Sequence, residues 1–228
     1  YVIAIQLGAI LAVFWLYFGR IRQMLAGLAG RDQEGRALLV NTLVAFTPAV
    51  VIGLACEGSI KRYLFGLKPI VAAWLLGGLA ILIVARRLKQ RGANGQQLEN
   101  LTARSALIIG LIQCVAMWPG VSRSLVTILG GALVGLSVPA AVEFSFILGL
   151  VTLGGATCYE LLKEGPAIYA MFGLASPAFG IAVAFVSAVI AVKWMVAYLN
   201  RHGLEVFGYY RIALGLTVAG LMLGGMLG

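Results

Sequence analysis

Eight apolar runs, separated by short polar or charged stretches, set the pattern of this chain. They are Tyr1–Phe18, Leu38–Cys56, Pro69–Ala85, Ala106–Trp118, Leu125–Leu136, Ala140–Leu162, Phe179–Leu199 and Val206–Leu227. Six of them approach or reach the roughly 20 residues that a helix needs to cross ~30 Å of hydrocarbon. The second of these six is interrupted at Pro48. Ala106–Trp118 and Leu125–Leu136 are only 13 and 12 residues long. They meet at "MWPGVSRSLVT", Met117–Thr127, where Pro119 and Gly120 break the run and Arg123 sits between Ser122 and Ser124. Two short apolar pieces joined at a Pro-Gly break predict a re-entrant helix–loop–helix. Such backbone is tolerated at membrane depth only where it packs in protein or lines a wet cavity.

Composition agrees with a bilayer as solvent. The 228 residues are 61% hydrophobic and 11% charged, against roughly 25% charged in soluble domains. Mean hydropathy is +1.00. The pattern predicts an all-α integral membrane protein, a polytopic helical bundle. Thirty glycines scattered through the apolar runs suit close helix packing in lipid.

The net charge of +9 is read as the positive bias of cytoplasmic loops, with attraction to anionic lipid headgroups added. No basic stripe interleaves with aromatics, so nucleic acid is excluded as a partner. Arg20, Arg22, Arg31 and Arg36 follow the first run; Arg86, Arg87, Lys89, Arg91 and Arg104 follow the third. Both loops are placed in the cytoplasm. The loop with Glu57, Lys61, Arg62 and Lys68 fits least well. The acid-rich stretch at Glu160, Lys163 and Glu164 falls outside, and the loop between Lys193, Arg201 and Arg211 returns inside. The hairpin enters from the cytoplasmic face and presents Pro119–Ser124 to a cavity open to the outer side.

The layout reads as two repeats within a single membrane domain, 1–102 with three spans and 103–228 with a hairpin plus three spans. An odd number of full spans in each makes them inverted, which places functional loops at the repeat interface near the midplane. "YVIAIQLGAILAV" and "AVEFSFILGLVTL" support the correspondence. By that symmetry a first hairpin of roughly 40 residues is expected upstream of Tyr1.

Arg123 carries the strongest chemical signal. A guanidinium at the bilayer centre costs on the order of 2.5–3.5 kcal/mol. Its planar fork fits two oxygens of a phosphate or carboxylate. Ser122 and Ser124 add hydroxyls, and Gly120 permits close backbone approach. A helix beginning near Ser124 would aim its positive end at the same place, with Thr127 one turn on. The competing reading is a helix cap with Ser124 at N-cap and a snorkelling arginine. Arg211, in "GYYRIALG", is either an interfacial anchor beside Tyr209 and Tyr210 or a second anion contact. Gln6 and Gln113 suit interhelical hydrogen bonds, and Glu143 suits an interfacial position. Cys56, Cys114 and Cys158 have no CxxC spacing, and His202 stands in a polar loop. No Cys/His metal cluster is possible from that inventory, and no carboxylate pair accompanies Arg123.

The stretch "QCVAMWPGVSRSLVTILGGALVGLSVPAAVEFSFILGL" resembles the hallmark region of the bacterial undecaprenyl-diphosphatase family of bacitracin-resistance type. "IQLGAILAV", "TPAVVIGL" and "YYRIALG" match in order and spacing, so the resemblance covers essentially the whole chain. It implies a multi-pass plasma-membrane enzyme that hydrolyses undecaprenyl diphosphate to undecaprenyl phosphate, the carrier for cell-wall polymers. It further implies dependence on Mg²⁺ or Ca²⁺, inverted repeats with two re-entrant hairpins, and an active site facing outward. Carried over by motif, Ser122 and Arg123 would be catalytic. Gly120, Ser122, Arg123, Ser124, Thr127 and Arg211 would bind substrate. The family's other signature, a Glu-rich motif ending in Ser-Ser-Thr-Gly-His and implicated in metal binding, does not occur here. The metal ligands are therefore expected from the upstream hairpin.

A transporter that flips polyprenyl phosphate is the rival reading, because broken helices and a midplane anion site also build secondary transporters. A structural membrane subunit would have no use for Arg123. The oligomeric state stays open, a homodimer included. Expressed from Tyr1 to Gly228 alone, the polypeptide is expected to release little or no phosphate from a prenyl diphosphate. Turnover equal to that of the product of the complete reading frame would overturn this.

Overall fold

The computed structural model describes residues 2–91, 95–173 and 175–226. Among these the chain is all-α, with no strand. Its helices are α1 (Val2–Leu16), α2 (Phe18–Leu28), α3 (Gln33–Leu64), α4 (Leu67–Arg91), α5 (Ala103–Gln113), α6 (Arg123–Leu133), α7 (Val138–Phe172), α8 (Ala175–His202) and α9 (Glu205–Leu223). Five contain stretches long and apolar enough to cross a membrane: Gln33–Cys56, Leu67–Leu88, Val138–Lys163, Ala175–Leu199 and Glu205–Leu223, with mean hydropathies of 1.5–2.2. This is a polytopic membrane protein. The side chains of Glu57, Lys61, Lys89, Arg91 and Glu164, which enter the charge pattern, lie outside the described ones.

Three elements differ from expectation. The first run is not one straight span: α1 and α2 meet at a 74° bend. Tyr17 marks that bend, and its ring stacks on Phe146 with centroids 5.6 Å apart. Pro48 does not interrupt the second run, because α3 continues through it for 32 residues. A membrane helix survives an internal proline when neighbours and nearby hydroxyls re-satisfy the backbone. Pro48 is buried, and the Thr47 hydroxyl donates to the Leu43 carbonyl at 2.8 Å beside the gap. The charged connections are also mostly helical. α3 runs on to Leu64 and α7 to Phe172, since in lipid or at its edge helix remains the cheapest way to pair backbone groups.

The chain falls into two compact units, each assembled from both halves of the sequence. One comprises Tyr1–Thr42 and Phe146–Tyr198; the other comprises Leu43–Ser145 and Leu199–Gly228. In the first, Gly8 of α1 lets α8 approach so closely that a Cβ there would lie 2.8 Å from Ala184 Cβ. Trp15 packs against Phe185 at 6.2 Å, and Lys193 Nζ lies 5.5 Å from the Trp15 ring centre.

The second unit carries the Pro-Gly break. Its frame is the α4–α9 pair, joined where Gly78 and Gly208 face each other. A Cβ on Gly78 would come within 2.6 Å of Ile212 Cγ1, and one on Gly208 within 2.8 Å of Leu82 Cδ2. With little hydrophobic drive between helices in lipid, such close van der Waals contact supplies the association. Gly110 of α5 abuts the Ala45 carbonyl of α3 in the same manner.

α5 and α6 have 11 residues each, about 16 Å of helix at 1.5 Å per residue, too short to cross. Their outer ends are tied together. Gln96 N–H donates to Gly135 O at 2.8 Å, and Ser137 N–H donates to Gln96 O at 2.9 Å. The chain therefore enters and leaves the hairpin at one place. Gly78→Leu is expected to overpack the α4–α9 seam and lower the melting midpoint in detergent by roughly 2–10 °C. An unchanged midpoint would show that the seam is not tightly packed.

Candidate functional site

The break is built from local rules. Trp118 is extended at φ −75°, ψ 117°, as a residue before proline prefers. Val121 N–H closes a turn onto Trp118 O at 3.0 Å. Pro119 at the second turn position and Gly120 at the third, with φ +91°, are the features of a type II turn. Gly120 also lies against α4, where a Cβ would meet Ile70 O at 3.1 Å and Ala73 Cβ at 3.3 Å.

α6 begins directly after this turn. Ser122, not Ser124, is its N-cap: Ser122 Oγ accepts Leu125 N–H at 3.5 Å and stands 3.4 Å from Ser124 Oγ. The helix therefore starts two residues earlier than a Ser124 cap would give: Ser122 is extended (φ −72°, ψ 117°) and Arg123 is already helical. Arg123 thus occupies the first helical position. A cation there faces the positive end of the helix dipole, an arrangement worth about 0.3–1 kcal/mol against it. A bound anion would neutralise both. Ser122, Arg123 and Ser124 are all partly buried, close to one another and to the first-turn amides.

Thr127 does something other than expected. It is fully buried, and its hydroxyl lies 3.0 Å from both the Arg123 and Ser124 carbonyls. It also lies 2.5 Å from Ser145 Oγ of α7, and Ser145 donates to Ser124 O at 3.1 Å. The two hydroxyl protons are therefore shared among the Arg123 carbonyl, the Ser124 carbonyl and the Thr127–Ser145 contact, with two of these receiving a proton at a time. Thr127 holds the first turn of α6 to α7, with its hydroxyl committed inside the protein.

Arg211 is neither a simple interfacial anchor nor a ligand-only residue. One of its terminal nitrogens (Nη2) donates to Gly120 O at 2.5 Å, across 91 residues of sequence. The structure thus brings Gly120, Ser122, Arg123, Ser124, Thr127 and Arg211 into one neighbourhood. Three buried polar atoms around it lack a hydrogen-bond partner: Gln113 Oε1, Trp118 Nε1 and Arg211 Nε. Each such atom costs roughly 1–3 kcal/mol unless water or a ligand meets it. Among the described residues no three His, Cys, Asp or Glu side chains gather as a metal would require. The described residues by themselves do not fit a divalent cation.

Comparison with known proteins decides the family. The profile of the family Bacitracin resistance protein BacA matches residues 1–217. The chain belongs to this family. It is 43% identical over 218 residues to Undecaprenyl-diphosphatase of Sorangium cellulosum (strain So ce56), covering 95% of this chain and 71% of that protein. It is 45% identical over 219 residues to Undecaprenyl-diphosphatase 2 of Rhodospirillum rubrum, covering 96% and 78%. With Undecaprenyl-diphosphatase of Methylococcus capsulatus it shares 43% over 216 residues, covering 95% and 78%.

Ser145 was not legible as part of this BacA-family site, although a lone serine in "EFSFILGL" was a signal that could have prompted the question. Its partner becomes known only when α7 lies beside α6. Thr127→Val is expected to remove the interhelical pair and cost about 0.6–1.7 kcal/mol of stability, read as a lower melting midpoint; Thr127→Ser should restore it. Lost activity at an unchanged midpoint would instead place the Thr127 hydroxyl on the ligand.

Proposed function

We propose that this chain is an undecaprenyl-diphosphate phosphatase of the bacterial inner membrane. It would hydrolyse the lipid diphosphate to undecaprenyl phosphate and inorganic phosphate, so recycling the carrier for cell-wall polymers. The observation that carries the reading is the placement of Arg123: a guanidinium at the positive end of α6, beside the Ser122 and Ser124 hydroxyls, at a break between two helices too short to cross. That arrangement suits a strongly anionic group. The names of the family relatives supply the lipid diphosphate.

In such a reaction water adds to the terminal phosphorus. The bond from that phosphorus to the bridging oxygen breaks, and its electron pair leaves on the undecaprenyl phosphate. Charge spreads over the phosphoryl oxygens and the leaving oxygen. Arg123 would meet two of those oxygens with parallel N–H donors, and Ser122 and Ser124 would orient them. Fixed donors in a site shielded from bulk water need no reorganisation as the charge develops, which is where most of the rate gain arises. Arginine suits this role better than lysine because its fork is planar and always charged.

The reading extends to orientation. The charged connections and helix ends that carry Arg20, Arg22, Arg31, Arg86, Arg87 and Arg104 favour the cytoplasm by the positive-inside rule, and the tied base of the hairpin lies among the last of these. The Pro119–Ser124 tip would then face the periplasmic side. The bend between α1 and α2 and the broken hairpin keep lipid flipping as a second reading, since discontinuous helices also build transporters.

Phosphate release from a prenyl diphosphate in detergent tests the proposal. The wild type should release phosphate, and Arg123→Lys should lower kcat by roughly 10²-fold. Undiminished turnover of Arg123→Lys would refute bidentate phosphate binding. Transport without any phosphate release would favour the flippase.

A further inference from the structure

We infer that Arg211 is a positioning residue. It clasps the Gly120 carbonyl from a socket made by Gly77, and so sets the turn from which Arg123 is presented. Its role in activity rests on the phosphatase reading above; the clasp itself does not.

The backbone hydrogen bonds across the break end on the Val115, Trp118 and Ser122 carbonyls. Gly120 O takes the Arg211 guanidinium instead, at 2.5 Å. A carbonyl at membrane depth requires a partner, and a charged donor gives a stronger bond than a neutral one. The turn it holds is restricted to glycine at φ +91°, and Ile70 and Ala73 of α4 support its other side.

The guanidinium reaches this carbonyl because α4 leaves it room. A Cβ on Gly77 would lie 3.3 Å from Arg211 Nη2, 3.4 Å from Nε and 3.6 Å from Cζ. A Cβ there would make the fork give by a few tenths of an ångström, and a branched side chain would crowd it further. One residue on, Gly78 locks α4 against Gly208 of α9. Arg211 follows Gly208 by three residues, so it lies on the same face of α9. The glycine seam therefore sets the rotation of α9 that aims Arg211 at the turn. Arg211 Nε is meanwhile buried without a partner.

The test uses Arg211→Ala, Gly77→Val and the double variant, with Gly77→Ala as a milder form should valine impair folding. Two readouts are taken. One is the labelling rate of Val121→Cys by a maleimide, in a background where Cys56, Cys114 and Cys158 are serine; it reports opening of the turn without reference to activity. The other is kcat and KM on a prenyl diphosphate. The clasp predicts faster labelling and a fall in kcat of about tenfold or more in both single variants, with KM within roughly threefold. The double variant should be no worse than the worse single one, because both remove the same interaction. Gly77→Ala should shift both readouts in the same direction by less, and Arg211→Lys should partly restore slow labelling. Unchanged labelling in Gly77→Val, additive losses in the double variant, or a raised KM with unchanged kcat in Arg211→Ala would each overturn the inference. If labelling responds as expected while the wild type releases no phosphate, the clasp stands and the phosphatase reading fails.

Discussion

A backbone that stops being helical inside a membrane must find partners for the amides and carbonyls it frees, and much of this structure answers that requirement at Pro119–Gly120. The turn pairs Trp118 O with Val121 N–H. Ser122 caps the helix that follows. Thr127 and Ser145 take the Arg123 and Ser124 carbonyls. Arg211, from the last helix, takes Gly120 O. Unpaired backbone groups in hydrocarbon cost several kcal/mol each, and these partners meet the groups that the break frees.

The same devices leave a positive charge where a positive helix end already lies. The helix dipole opposes a cation at the first position of α6, yet Arg123 stands there. Sites that keep such a local conflict usually do so for a ligand that resolves it. Under the proposed phosphatase reading a phosphate would resolve this one, accepting from the guanidinium, from two serine hydroxyls and from first-turn amides. Binding and catalysis would then draw on one feature: donors fixed in advance by a turn that is itself clamped to α4, α7 and α9.

Glycine sets the distances that make the clamp possible. Gly78 and Gly208 bring α4 and α9 into backbone contact, and Gly110 seats α5 against α3. Each compact unit draws on both halves of the sequence, so residues far apart in order share one neighbourhood. The pairing of Arg211 with Gly120 spans 91 residues, and no pattern along the chain announces it.

What the sequence determined by itself was the solvent, the fold class and the location of the break. Those follow from summed hydropathy and from proline and glycine chemistry, which are local. It also singled out Arg123 and its serines, because a permanent charge in an apolar run has few structural uses. Tertiary structure decided the rest. α3 passes through Pro48 because burial and a back-bonding threonine make the helix tolerable there, whereas proline alone reads as an interruption. The cap is Ser122 and not Ser124 because Gly120 at positive φ starts the helix two residues sooner. Thr127 is committed to Ser145, and Arg211 to Gly120, because hydrogen-bond partners in a membrane are chosen by which helices lie within reach. Reach is set by glycine-to-glycine approach between elements distant in sequence, a quantity that no residue carries alone.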